Sequence, residues 1–145
     1  MNQNYIKFIE ELNQFISKYN LLLQNYVSKH DLENLIIELK KLFPYIIKYK
    51  NNLDKDIFEK LGKISRLTYT DFKKHNQNFI NKSLITYKDY FDNIFLDFGE
   101  SIKLDDEQKR AIIADDDYSM IIAGAGSGKT TTMAAKVKYL VDIKK

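Results

Sequence analysis

Tyr118-Ser-Met-Ile-Ile-Ala123-Gly-Ala-Gly-Ser-Gly-Lys-Thr130 is the stretch whose reading decides the fold. A short apolar run enters a glycine-rich turn. A helical pattern follows, in which Met133, Val137, Leu140 and Val141 fall on one face. Strand, glycine-rich turn and helix is the setting that a phosphate-binding P-loop requires. Gly124, Gly126 and Gly128 lack Cβ, so the backbone can take positive φ and approach a ligand closely. The amides of residues 125–130 can then turn inward as a concave anion site. The loop opens into a helix N-terminus, whose unpaired amides and positive dipole end also favour phosphate. Lys129 is placed to reach β- and γ-phosphate oxygens, and Thr130 to set its hydroxyl on the Mg²⁺ that bridges them. The strict pattern begins with Gly, and here Ala123 takes that position, which asks only for an ordinary φ. The expected ATP-binding set is Ala123, Gly124, Ala125, Gly126, Ser127, Gly128, Lys129 and Thr130, with Thr130 the Mg²⁺ ligand.

Upstream, Leu104-Asp-Asp-Glu-Gln-Lys-Arg-Ala-Ile-Ile113 reads as a short helix. Asp105 is its N-cap and Gln108 falls at N3. Two roles are open to Gln108. Its side chain can bond back to the N-cap amide, as in a capping box. Its paired donor and acceptor can also read an adenine edge. Asp115-Asp116-Asp117 reads as a solvated loop before the strand, since Mg²⁺ at a P-loop is held elsewhere.

The remaining composition excludes several function classes. The chain has 145 residues, a net charge of +3, two histidines and no cysteine. Disulfide frameworks and thiolate metal sites are therefore ruled out. His30 and His75 have no ligand-like spacing. Residues 1–95 hold 15 basic and 11 acidic side chains, residues 96–145 hold 8 and 9, and neither balance makes a nucleic-acid footprint. No apolar run approaches the roughly twenty residues of a membrane span, and no signal-peptide pattern opens the chain. The expectation is a cytoplasmic protein.

Residues 4–29 repeat every seven positions: Tyr5, Leu12, Tyr19 and Tyr26, then Phe8, Phe15 and Leu22, then Ile9, Ile16 and Leu23. That stripe predicts a core-facing helix. Asp31 is the expected N-cap of a second helix that Pro44 should end or kink. A long helix is expected from about Asp54 to Asn81, and Ser83 as the cap of a further helix through Tyr90 and Phe95. Aromatic and lysine residues alternate over Tyr45–Lys50 and Tyr69–Lys74, but at the spacing of a core face. Phe98-Gly-Glu-Ser101 reads as a hinge.

Together, Leu104–Ile112, the aspartate-rich loop, Ile121–Thr130 and Ala134–Leu140 resemble the start of UvrD/Rep-type superfamily 1 DNA helicases. The segment from His75 to Asp92 is similar to one preceding the first motor domain in the helicase IV-like branch. The resemblance covers about residues 70–145. It implies that Gln108 contacts adenine and selects ATP, that Lys129 and Thr130 serve phosphate and Mg²⁺, and that the family translocates 3′ to 5′ on single-stranded DNA. Downstream of the loop the chain carries no Walker B Asp-Glu pair, no γ-phosphate arginines and no second RecA-like domain. The expectation is thus the N-terminal portion of such a helicase, without hydrolysis or unwinding of its own.

The expected fold is a mostly α N-terminal helical region followed by an incomplete α/β P-loop NTPase (RecA-like) segment. The expected domains are 1–97, helical, and 98–145, the truncated start of a RecA-like ATP-binding domain. The alternative reading is a helical protein-interaction module, RNA polymerase-associated in the manner of some helicase IV-like relatives, with a vestigial P-loop.

Overall fold

The computed structural model describes residues 3–96, 102–117, 126 and 128–144. Its α-helices are α1 (Gln3–Leu22), α2 (Lys29–Lys48), α3 (Lys55–Ile64), α4 (Lys73–Thr86), α5 (Lys88–Asp92), α6 (Asp106–Ile113) and α7 (Lys129–Ile143). Among the described residues there is no strand, and the chain is mostly α. The expected strand at 118–123 and hinge at 98–101 lie outside the described residues. By its internal contacts the chain divides into two units between Lys73 and Lys74.

In the first unit, the heptad stripe of α1 buries Phe8, Leu12 and Phe15. They meet Leu35, Leu39, Leu42 and Ile46 of α2, and Leu61 and Ile64 of α3. Tyr49 stacks on Phe8, with ring centroids 5.4 Å apart. The start of α2 differs from expectation. Ser28, not Asp31, is the N-cap; its Oγ accepts from the Asp31 amide at 3.1 Å. Asp31 instead sits at N3 and accepts from the Ser28 amide at 3.3 Å, completing a reciprocal box. Pro44 does not end the helix, which runs to Lys48. Leu42 and Ile46 are buried on either side of it, and that burial offsets the local cost of about 3 kcal/mol for an interior proline.

The long helix expected over 54–81 is interrupted. α3 ends at Ile64, and a 3₁₀ turn at Tyr69–Phe72 precedes α4. The cause is local: the Thr68 amide and hydroxyl both bond the Asp71 carboxylate, at 2.7 and 2.8 Å. These bonds hold Thr68 extended and turn the chain. Phe72 then joins Val27 and Leu32 in a separate small cluster.

In the second unit, Ser83 does not cap a helix. It is buried within α4, which runs to Thr86. Phe91, Ile94, Phe95, Leu104, Ile112, Ile113, Ala135 and Tyr139 form the core. Tyr139 stacks on Phe91 at 5.6 Å and meets Tyr87 edge-on at 5.9 Å. α7 turns a different face inward from the one expected. Thr132, Ala135 and Tyr139 are buried, while Met133 and Val137 are each 62% exposed and Val141 58%. The small Ala135 lets α6 approach closely, and the aromatic group around Phe91 takes Tyr139, so packing partners set the rotation of the helix. No helix among the described residues is long and apolar enough to cross a membrane.

Candidate nucleotide-binding loop

Of the expected loop residues, Gly126, Gly128, Lys129 and Thr130 are described, whereas Ala123, Gly124, Ala125 and Ser127 lie outside the described residues. Gly126 has φ +78° and Gly128 φ +81°, and no non-glycine residue described has positive φ. Left-handed glycines are one component of the concave amide turns that bind anions. A Cβ on Gly126 would meet nothing within 4 Å, so that side of the turn is open.

Gly128 is the N-cap of α7 and offers no side chain to its first turn. The buried Thr132 secures that turn from within. Its amide and its hydroxyl both donate to the Gly128 carbonyl, at 2.8 and 2.9 Å. Gly128 supplies no side-chain cap there, and the positive dipole end of a helix favours an anion. Lys129 and Thr130 are both exposed at this end. The described geometry therefore fits a phosphate group.

Gln108 is brought to the same place. Its Oε1 accepts from the Asp105 amide at 2.9 Å, and its own amide donates to Asp105 Oδ1 at 2.8 Å. The capping box expected for α6 is present. With Oε1 so fixed, Nε2 points at α7: a Cβ built on Gly128 would lie 2.8 Å from it. The residue read for adenine and the last glycine of the loop are thus in contact, although twenty positions apart in sequence.

α6 is tied down on its outer side as well. Lys109 pairs with Asp92 at 3.0 Å, and Arg110 Nη1 donates to Asn81 Oδ1 at 2.8 Å. The Lys109 ammonium, together with Lys88, holds the Asp92 carboxyl below the usual carboxylate range. Asp115 pairs with Lys144 at 3.4 Å, and Asp116 and Asp117 are exposed, as befits a loop. Among the described residues, no cluster of His, Cys, Asp and Glu is arranged to hold a metal.

The sequence reading passed over Lys136. Its Nζ donates to the Ile112 carbonyl at 2.8 Å and to the Ala114 carbonyl. Burial pushes its pKa down. The only sequence signal was its place beside Ala135, one residue from a face that nothing marked as internal.

The UvrD/REP helicase N-terminal domain family matches residues 104–145, which include α6 and α7. DNA helicase IV of Escherichia coli (strain K12) is 34% identical over 68 residues, 47% of this chain and 9% of that relative. No solved structure matches the chain. Residues 104–145 are thus similar to the N-terminal domain of UvrD/Rep helicases, and the chain spans about a tenth of the length of the relative it matches.

Proposed function

We propose that residues 98–145 are the start of a RecA-like ATP-binding domain and that residues 1–97 are a helical region ahead of it, whose last helices share the core of the second unit. The observation that carries this reading is the contact of the Gln108 amide with Gly128 at the start of α7. It supports a base-reading role for Gln108 beside a phosphate-holding turn. Ala123, Gly124, Ala125, Gly126, Ser127 and Gly128 would hold the phosphates, Lys129 would neutralise their charge, and Thr130 would hold Mg²⁺. When bound, Mg²⁺ would supply further charge neutralisation. The Gln108 carbonyl can keep its bond to Asp105 and still offer a second lone pair to the adenine amino group. The cap and the adenine contact are therefore compatible.

In a whole helicase of this type, ATP held here drives movement along single-stranded DNA. The 145 residues themselves supply no Walker B pair after the loop and no arginine for the γ-phosphate. ATP turnover by this chain, with or without single-stranded DNA, stays at background. The direct test is titration with fluorescent mant-ATP and Mg²⁺. Weak, saturable binding is expected, and Lys129→Ala removes it. Binding that is tight and unchanged by that substitution overturns the assignment.

A further inference from the structure

Lys136 lies midway along α7 and gives its ammonium to main-chain carbonyls of Ile112 and Ala114. These are among the last carbonyls of α6, which helix geometry leaves without amide partners. A cation at the negative end of a helix is also favoured by the helix dipole. Lysine ordinarily keeps its head in water, yet this one is only partly exposed. The charged groups facing it are Asp115, Asp116 and Lys144, and Asp115 is itself paired with Lys144. The lysine therefore serves the end of α6 before it serves a carboxylate.

The other end of α6 carries Gln108 against Gly128. Between the two ends, Ile112, Ile113 and Ala135 share one core. α6 thus meets α7 at both ends, through Gln108 beside Gly128 and through the Lys136 hydrogen bonds.

We propose that Lys136 is a positioning residue for the nucleotide site: by fixing the C-terminal end of α6 on α7, it sets where Gln108 presents its amide to the base, and so how strictly adenine is selected. The proposal rests on the reading of the loop as an ATP site given above.

The test uses the 145-residue chain in two arms. The first is nucleotide-free. In ¹⁵N NMR spectra, Lys136→Met, which keeps the apolar stem and deletes the ammonium, is expected to shift the Gln108 side-chain amide resonance at the far end of α6. It also speeds amide exchange at Ala114. Lys136→Arg, which keeps the charge and the donors, restores both. Should Lys136→Met fail to fold, Lys136→Gln takes its place with the same expected shift. The second arm compares mant-ATP with mant-GTP. Lys136→Met is expected to lower the preference for ATP about tenfold, as small displacements of a positioned group do, and Lys136→Arg to recover it. An unmoved Gln108 resonance overturns the positioning role, and so do equal effects of Met and Arg. If the wild-type chain binds neither nucleotide, the ATP reading falls, and the first arm still decides where Lys136 acts.

Discussion

Replacing Gly128 with alanine tests the loop and the α6 cap in a single step. Two separate costs follow from the geometry. At φ +81° a Cβ costs about 1–2 kcal/mol in the left-handed region. The same Cβ would lie 2.8 Å from Gln108 Nε2, closer than the two atoms can remain. The flexible end of the glutamine has to move, and a rotation that carries Oε1 with it breaks the 2.9 Å bond from the Asp105 amide. Losing that bond adds about 1 kcal/mol. Gly128→Ala should therefore cost about 2–3 kcal/mol. Gly126→Ala has the same backbone strain at φ +78° but open space beyond it, and should cost only about 1–2 kcal/mol. In a Gln108→Ala background the clash is gone, so Gly128→Ala should cost about 1 kcal/mol less than in the wild type. The assay is urea unfolding followed through amide NMR signals of α6 and α7, which reports the second unit by itself. A double-mutant coupling below about 0.3 kcal/mol refutes the argument, and so does equality of the two glycine substitutions.

Other outcomes follow from the same packing. Leu39 is 1% exposed at the centre of the first unit, so Leu39→Ala should cost about 2–5 kcal/mol in urea unfolding read on α1–α3 signals. Burial, the first cause, raises the Tyr139 hydroxyl to about 12. A raised folded value means that the stabilisation is complete below the ordinary tyrosine range near 10 and is lost as pH climbs through about 12. Tyr139→Phe should flatten that alkaline loss, measured as unfolding free energy against pH.

The parts legible from sequence are those whose cause is local. Positive φ needs glycine, so the turn at Gly126 and Gly128 could be placed from residue type alone. The Asp105–Gln108 box spans four residues and needs nothing from elsewhere in the chain. Similar signals at Ser28–Asp31 and Thr68–Asp71 were present too, but aspartate at the fourth position was read as a cap or passed over. The first of these misplaced the start of α2, and the second joined α3 to α4. The heptads of α1 were plain because burial of one face repeats at a fixed interval.

The α7 face was not legible. Periodicity alone favoured Met133, Val137, Leu140 and Val141, yet the structure leaves Met133, Val137 and Val141 exposed and Leu140 half-buried, and buries Thr132, Ala135 and Tyr139. A helix offers every face equally until something packs on it. The inward face here was decided by the aromatic ring of Phe91 and by the close approach of α6. Nor could sequence reveal that a lysine of α7 would satisfy carbonyls at the end of α6, or that Gln108 would touch Gly128. Residue type fixed the turns and caps, because their energies act over three or four residues. Contacts between distant segments fixed the site, because they exist only once the chain has folded.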